Sequence, residues 1–346
     1  MSDIRFEVIK ELNNDFIEKW HRVWENQQNA HFFNSPEWFT SCLKAFNIKD
    51  YFIFVGYQDE QIKVIWPAVK MRKFGVSFLG SPGGGYLDKN SILSVDDDLL
   101  IVEVLIEKIL KNANIYLAEI NEETKNNITD LGITKFVRQA SINPYISLDL
   151  EPFRFIKNKL KNEIKNKVKK YQADFSFKLY TSALNKHLET ILDIEKKSFK
   201  KKKGRHIFNK KVARNLFGNI VSKQDSTSIS LLYFNSKPIA HMFGLIYKKR
   251  FLAYHMAYLE DYRKLIPGKV LLYFLLPELV ERKFTLFDFS RGDSLLKRQF
   301  TQQKKIQYDI FLSKKVIINF YIFCVFFINS VWLFAKKYIK ILLNKK

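Results

Sequence analysis

The sequence predicts a mixed α/β (α+β) fold in which a sheet flanked by helices is built twice. Helical and strand-like patterns alternate along the first half of the chain, and the same alternation restarts in the second half. The 346 residues, of which 47% are hydrophobic and 15% aromatic, suffice for two buried cores. This composition excludes a disordered chain and favours a packed two-domain protein.

The first half is predicted to form an N-terminal domain over residues 1–150. Two helix-like segments precede two strand-like segments, which the polar turn "QDEQ" joins at a spacing typical of a hairpin. A glycine-rich loop then leads into a further helix, a strand, a short helix and a final strand. The predicted bounds are 15–28 and 36–46 for the first helices, 51–57 and 62–71 for the hairpin, 78–88 for the loop, 96–111 for the next helix, and 115–120 and 145–150 for the strands.

A lysine-rich segment, residues 151–172, is predicted to form one amphipathic helix that links the halves. Its apolar residues recur at near-helical spacing, namely Phe155, Ile156, Leu160, Ile164 and Val168. A charged face over a half-buried stripe and a helix that contacts nucleic acid both account for this pattern.

The second domain, residues 173–312, is predicted to contain a strand, two helices, an antiparallel meander, a loop, a helix and a strand. The predicted bounds are 175–180 for the first strand, 183–199 and 209–222 for the helices, 228–234, 238–247 and 250–260 for the meander, 270–283 for the last helix and 285–289 for the last strand. The loop before the last helix, "YRKLIPGKV", runs from Tyr262 to Val270.

This loop is the first candidate site. A strand that feeds a helix leaves backbone N–H groups unpaired at the helix start, and these groups together with the helix dipole suit phosphate oxygens. The predicted binding residues are Arg263, Lys264, Leu265, Ile266, Gly268, Lys269 and Val270. An ordinary strand-to-helix turn is the alternative interpretation.

Two histidines fall on neighbouring strands of the predicted meander. A hairpin that pairs Tyr247 with Phe251 places His241 and His255 on one face as diagonal neighbours, roughly 7 Å apart. We predict that His255, on the strand that enters the loop, moves a proton during catalysis, with His241 beside it. Two hydrogen-bonded strand histidines without a catalytic role are the alternative.

Charged residues follow the last predicted strand, where open α/β sheets commonly carry site residues. We predict that Asp288, Arg291, Asp293 and Lys297 bind the acceptor substrate, and the alternative is a salt-bridged turn. In the first half, Tyr86 and Asp88 of the glycine-rich loop are predicted to line the acceptor cleft.

The charge balance favours anionic partners, since 58 Lys and Arg against 35 Asp and Glu leave a net charge of +23. The two cysteines, Cys42 and Cys324, are far apart, which excludes a disulfide framework and a cysteine metal site, and we expect no metal. The N-terminus lacks the apolar core of a secretory signal, so we expect a cytoplasmic protein.

The chain ends in a predicted membrane-associating tail, residues 313–346. Val316–Ala335 contains no charge and is bracketed by lysines, which permits a helix lying in the membrane plane, a spanning helix or a buried helix. We expect an anionic membrane surface as a partner and association with the inner face of the cytoplasmic membrane.

Five segments, taken in order, resemble the GNAT acetyltransferase superfamily. They are "FFNSPEWF", "LGSPGGGYLD", "LKNEIKNKVKKYQADFSF", "SKPIAHMFGLIYKKRFLAYHMAYLEDYRKLIPGKVLL" and "FDFSRGDSLLKRQF". More specifically, they resemble the CelD-type, BioF-like acetyltransferases, which are relatives of the FemAB aminoacyltransferases. The resemblance implies tandem GNAT-like halves, a loop that cradles acyl-CoA pyrophosphate, and acetyl-CoA or another acyl-CoA as donor.

The resemblance also implies an acceptor, a nucleotide- or lipid-linked amino sugar or sugar intermediate of surface polysaccharide biosynthesis. The loop departs from the superfamily because Gly268 is its single glycine, which offers fewer N–H groups to a pyrophosphate. Two alternatives therefore stay open. One is a Fem-like transferase that uses aminoacyl-tRNA, and the other is a non-catalytic membrane-surface module of a polysaccharide assembly system.

Overall fold

The computed structural model describes residues 4–27, 30–130, 133–149, 151, 153–154, 156–198, 200, 207–222 and 226–343. These residues form two compact units. Unit 1 comprises the described residues of 1–30, 50–140 and 307–346, and unit 2 those of 31–49 and 141–306. The grouping differs from the predicted division at 150 and 312, because each unit takes a segment from the other part of the chain.

Unit 1 is a mixed sheet with helices. Its strands are β1 (Arg5–Ile9), β2 (Tyr51–Gln58), β3 (Gln61–Lys73), β4 (Val76–Gly80), β5 (Leu93–Ser94), β6 (Ile115–Asn121), the first part of β7 (Lys135–Ser147) and, from Gln307 onward, β13 (Lys304–Leu312). Its helices are α1 (Asn14–Asn26), α3 (Leu99–Leu110), α4 (Glu122–Asp130) and α10 (Val316–Leu343), whereas α2 (Pro36–Phe46) belongs to unit 2.

The sheet of unit 1 has the order β1-β2-β3-β4-β6-β13-β7, with β5 paired to β3. β1 to β4 are antiparallel neighbours, and α3 then carries the chain to β6, which is parallel to β4. The apolar side of α3 contributes Ile101, Leu105 and Ile106 to a core with Trp66 and Ile115. The apolar spacing of α3 therefore fixes its position against the sheet.

Unit 2 repeats this architecture. Its remaining helices are α5 (Asn158–Lys170), α6 (Asn185–Lys196), α7 (Lys211–Val221), α8 (Pro267–Glu281) and α9 (Leu295–Phe300). Its strands are the second part of β7, β8 (Phe175–Tyr180), β9 (Thr227–Phe234), β10 (Lys237–Tyr247), β11 (Arg250–Tyr258) and β12 (Leu286–Asp288).

The sheet of unit 2 has the order β7-β12-β11-β10-β9-β8. β8 to β11 form an antiparallel meander, and α8 then leads to β12, which is parallel to β11. Each unit thus contains a meander, a helix and a parallel strand in the same sequence. The predicted mixed α/β fold, with mixed sheets flanked by helices and built twice, is confirmed.

Two predicted elements differ clearly in extent from the observed ones. The strand placed at 145–150 is β7, which begins at Lys135, because the polar and small residues before Tyr145 hide its alternating pattern. The linking helix starts at Asn158, so only Leu160 and Ile164 of its predicted stripe are buried helix residues. Phe155 lies outside the described residues.

The apolar C-terminal helix is present as α10, which spans 28 residues. Ile322 on its inner side packs against Phe78, Tyr116 and Phe311 of unit 1. In the ranges that the structure describes, no helix combines the length and the apolar character needed to cross a membrane.

Candidate active site

A pocket of about 800 Å³ opens in unit 2 beside the last strand of the meander. It is lined by residues of β11, of the short 3₁₀ turn Glu260–Leu265, of the first turn of α8 and of the segment from Phe289 to Gln299. The strand that carries His255 and the start of α8, which the sequence predicted as site regions, therefore border one cavity. A pocket of this size admits a small-molecule or cofactor ligand.

A β-bulge sets which side chains of β11 face this cavity. Tyr247 pairs with Arg250, so the predicted pairing of Tyr247 with Phe251 is wrong, but the register shifts at Gly244 and Phe243 then pairs with His255. A Cβ at Gly244 would lie 2.3 Å from Cζ of Phe251, which explains a glycine at the bulge. The extra residue restores the predicted diagonal placement of the histidines.

His241 and His255 therefore lie on one face, with ring centroids 5.8 Å apart. Both direct Nε2 at the same oxygen, Oε1 of Glu195, at 3.3 Å from His241 and 2.8 Å from His255. Glu195 lies on the buried side of α6 and has no exposed surface. His241 is equally buried, whereas His255 is 9% exposed and lines the pocket.

The contact with Glu195 defines the tautomer of His255. A carboxylate only accepts hydrogen bonds, so at 2.8 Å Nε2 of His255 is the donor and Nδ1 keeps its lone pair. Burial raises the pKa of Glu195, but hydrogen bonds from the two histidines outweigh it and hold this pKa below its ordinary value. Glu195 is thus an anion that orients a neutral imidazole.

Lys200 adds a cation to this group. Its Nζ lies 3.4 Å from Nε2 of His255, and it also lines the pocket. Burial and the Lys200 ammonium lower the pKa of His255 to about 4, although Glu195 acts in the opposite direction. His255 is therefore unprotonated at neutral pH and can accept a proton.

The same three residues could also hold a metal ion. Glu195, His241 and His255 each offer a ligand atom, and these atoms lie within 4.8 Å of one another. The Lys200 ammonium beside them opposes a second cation, and the Nε2–Oε1 distances suit hydrogen bonds. The geometry favours a hydrogen-bonded acid–base group over a metal site.

The start of α8 offers few backbone donors. Pro267 has no N–H, and the N–H groups of Lys269 and Val270 donate to the carbonyl of Ile266 at 2.9 and 3.1 Å. Gly268 lines the pocket, and no acceptor in the described part of the chain is recorded for its N–H. The predicted cradle therefore reduces to one backbone donor at the positive end of the helix dipole.

The predicted cations of this loop have different surroundings. Arg263 lines the pocket with its side chain 75% exposed and lies 3.5 Å from Glu260. Lys269 lines it as well and pairs with Glu163 of α5 at 3.1 Å. Lys264, Leu265 and Val270 are not among the lining residues, whereas Ile266 is.

The predicted acceptor residues of unit 2 separate into two groups. Arg291 and Lys297 line the pocket, but Asp288 and Asp293 do not. The Lys297 ammonium donates to the carbonyls of Ser290, Arg291 and Gly292 at 2.9, 2.8 and 2.9 Å. It thus holds the loop after β12 in place.

The other predicted acceptor residues lie elsewhere. Asp293 pairs with Arg298 at 3.3 Å on the surface. Tyr86 and Asp88 belong to unit 1, where Tyr86 ends a 3₁₀ turn and Asp88 is buried. None of these three residues lines the pocket of unit 2.

Sequence reasoning missed Glu195 and Lys200. Glu195 lies in line with Ile191 and Ile194 on the apolar side of α6, and all three are buried. A carboxylate on the buried stripe of an amphipathic helix is rare without a partner, and this was the available signal.

Part of the chain matches a known protein family. Residues 158–298 match the family model described as an acetyltransferase (GNAT) domain. The match includes Glu195, both histidines and the start of α8. No curated protein sequence matches the chain.

Solved structures with a similar fold cover nearly the whole chain. FemX superposes with a TM-score of 0.63 at 8% identity, over 89% of this chain and 98% of its own. L-PGS from Bacillus licheniformis gives 0.58 at 11% identity, over 88% and 92%. A conserved protein of unknown function from Bacteroides thetaiotaomicron gives 0.57 at 12% identity, over 91% and 100%. At these identities the likeness shows the fold alone.

The family match falls on the segment that contains the pocket and the Glu195–His255 pair. Residues 158–298 therefore resemble an acetyltransferase (GNAT) domain, and the protein is a transferase.

Proposed function

We propose that the protein transfers an acetyl or other acyl group from acyl-CoA to the amino group of a nucleotide- or lipid-linked amino sugar in surface polysaccharide biosynthesis, as the CelD-type, BioF-like acetyltransferases that it resembles would. The observation that carries the proposal is that one pocket is bordered by the start of α8 and by a neutral histidine held by a buried carboxylate. Acyl transfer to an amine needs an anion site for the donor and a base for the acceptor.

In the proposed reaction, the acceptor amine attacks the carbonyl carbon of the thioester. The C–N bond forms and the C–S bond breaks, so that the thiolate of CoA leaves. Nδ1 of His255 takes the proton that the nitrogen loses, and this proton then neutralises the thiolate. Glu195 keeps Nε2–H of His255 bound at 2.8 Å and stabilises the imidazolium while the proton is in transit.

The donor is proposed to place its pyrophosphate at the start of α8. The N–H of Gly268 and the dipole of α8 attract phosphate oxygens, and Arg263 and Lys269 supply positive charge at the same edge of the pocket. The apolar lining, which includes Met242, Met256, Leu272 and Phe289, suits the pantetheine arm and the acyl chain.

Calorimetric titration with acetyl-CoA, followed by assays of free thiol release in the presence of amino sugars, tests the proposal. We expect saturable acetyl-CoA binding and thiol release that depends on the acceptor. The proposal fails if acetyl-CoA and longer acyl-CoA esters do not bind. Activity that EDTA removes and Zn²⁺ restores would assign Glu195, His241 and His255 to a metal site instead.

A second candidate donor is aminoacyl-tRNA, as in a Fem-like transferase. Two observations favour it, namely the single available N–H at the start of α8 and the lysine-rich surface of α5, which is joined to the pocket rim by the Lys269–Glu163 ion pair. Transfer from a charged tRNA should then weaken steeply with salt, because phosphate contacts release counterions. The acyl-CoA titration separates the two donors.

A further inference from the structure

We infer that the outer face of α10 lies on an anionic phospholipid surface, parallel to the membrane plane. This inference concerns unit 1 and does not depend on the activity proposed for unit 2. It rests on three observations, namely an exposed apolar face, an inner side fixed to the sheet, and the distribution of charge around the helix.

The outer face of α10 is an apolar surface with large exposed side chains. Its most exposed large side chains are Val316, Ile317, Phe320, Phe327, Ile328 and Trp332. Ile317 is 74% exposed, Phe320 63% and Trp332 59%. Scattered exposed hydrophobics are ordinary, but a contiguous row of this length marks an interaction surface.

The inner side of α10 is held by unit 1, so the outer face has a defined orientation. Ile322 is fully buried, and the ring of Phe326 stacks on Phe136 with centroids 5.4 Å apart. The Arg138 guanidinium lies 4.4 Å from the centroid of the Phe326 ring, and the Tyr321 hydroxyl donates to the carbonyl of Phe74 at 3.2 Å. These contacts fix the rotation of the helix about its axis.

A helix that is apolar on all sides is normally buried. α10 has an apolar inner side that is packed and an apolar outer side that is not. The outer side would be covered if it contacted a second apolar surface. The charge of the segment indicates which kind of surface this is.

The charged side chains of the C-terminal segment that contains α10 are all positive. Residues 313–346 contain seven lysines and no aspartate or glutamate. Lys314 and Lys315 are exposed at the start of α10, and Lys336, Lys337 and Lys340 follow the apolar run in the sequence. Lysines at both ends of an apolar helix face match the headgroups of an anionic leaflet when the helix lies in the interface.

A second copy of this chain fits the same face poorly. Each copy would bring a segment with seven lysines and no carboxylate, so the two segments would repel each other. Trp332, which is 59% exposed, also suits the interface of a bilayer, where aromatic rings with one polar group are enriched.

Vesicle flotation with the full-length protein tests the inference. We expect the protein to float with vesicles of phosphatidylcholine and phosphatidylglycerol, to bind vesicles of phosphatidylcholine alone at least ten-fold more weakly, and to lose binding as salt rises. The double variant Phe320→Glu/Phe327→Glu should reduce binding to the anionic vesicles by at least ten-fold. Phe320 and Phe327 both make their ring contacts with Phe323 of the same helix, so the fold should persist.

A matched control places the same charges elsewhere in unit 1. Leu99 and Leu100, at the start of α3, are 50% and 52% exposed. Leu99→Glu/Leu100→Glu should leave vesicle binding unchanged, because these residues lie outside the proposed membrane face. The fold should persist as well, since glutamate is well tolerated in the first turn of a helix. Thermal unfolding of both double variants verifies that they fold.

Three results would overturn the inference. The first is a wild-type protein that does not float with anionic vesicles. The second is equal binding of the wild type and the α10 variant. The third is a wild-type dimer that the α10 variant dissociates in the absence of vesicle binding, which would assign the face to a second copy of the chain.

Discussion

His255 lies between two opposite charges, and their balance determines its chemistry. The Glu195 carboxylate at 2.8 Å stabilises the imidazolium, whereas burial and the Lys200 ammonium at 3.4 Å disfavour it. Because burial and Lys200 prevail, the pKa of His255 falls to about 4. A histidine with so low a pKa is unprotonated at neutral pH but binds a proton weakly. Glu195 compensates by stabilising the imidazolium once the proton is transferred.

At the residue scale, we predict that Lys200→Met shifts the acid limb of the pH–rate profile upward. The pKa of His255 is lowered from 6.5 to about 4 partly by the Lys200 ammonium, so removing this charge raises that pKa toward its ordinary value. Since only neutral His255 accepts a proton, kcat/KM should begin to fall at a higher pH than in the wild type. An acid limb that does not move would contradict the charge coupling.

We also predict that His255→Gln lowers kcat by about 10²- to 10⁴-fold while acetyl-CoA affinity is retained, because a general base acts in the chemical step. Glu195→Gln, which removes the charge but keeps the shape, should lower kcat by a smaller factor. His241→Gln is the matched control for a buried histidine that does not line the pocket. Near-normal turnover of His255→Gln on the true acceptor would assign the proton to another group.

Two local features position the pocket residues, namely the β-bulge between β10 and β11 and the first turn of α8. The bulge shifts the register by one residue, and a one-residue shift moves a side chain to the opposite face of a sheet. The first turn of α8 follows Ile266, which adopts a left-handed backbone conformation with φ of 49°. The geometry of the pocket therefore depends on two local irregularities.

At the element scale, we predict that Gly244→Ala destabilises unit 2 and misplaces His255. The new Cβ would lie 2.3 Å from Phe251 and 2.6 Å from Oγ of Ser228, so strand or ring must move. Overpacking of this kind costs about 1–3 kcal/mol. Denaturant unfolding and kcat measured on the same sample check this, and unchanged values for both would show that the bulge does not need a glycine.

We predict that Gly268→Val raises the KM for acyl-CoA by at least about ten-fold. This change corresponds to a loss of about 1.4 kcal/mol of binding free energy. The first added carbon meets the flexible end of Met256 at 3.3 Å, so the fold can adapt, but a β-branched side chain covers the N–H of residue 268. Gly268→Ala is the control with the smaller obstruction. Calorimetry that finds the same acetyl-CoA affinity in Gly268→Val would remove the start of α8 from the donor site.

The whole molecule consists of two units that are not continuous in sequence. Unit 1 includes β13 and α10 from the end of the chain, and unit 2 includes α2 from near its beginning. Each unit therefore depends on chain segments that are far apart, and removing a terminal segment affects the core of unit 1 as well as its surface.

At this scale, we predict that truncation after Lys315 lowers the thermal stability of unit 1. The loss of α10 exposes Phe78, Tyr116, Phe311 and Phe136, and full burial of a large apolar side chain contributes about 1.5–3 kcal/mol. Truncation after Trp332 keeps these contacts and serves as the control. Equal melting temperatures for the two truncations, measured by calorimetry, would show that the inner side of α10 contributes nothing to stability.

The sequence by itself determined most of the elements and both regions of the candidate site. Periodicity located α2, the meander and α8, because strands and helices with one buried face repeat apolar residues at fixed spacing. Weak patterns were missed. β1 and β4 are short, and the alternating pattern of β13 starts in a polar, lysine-rich segment.

The tertiary structure alone decided which residues meet. Glu195 is distant in sequence from His255, and its role depends on the packing of α6 beneath the meander, which local spacing does not encode. The histidine register depends on the bulge at Gly244, where a Cβ would collide with Phe251 and Ser228 of the two neighbouring strands. Local propensity fixes what an element is, whereas long-range packing fixes which of its side chains face a common cavity.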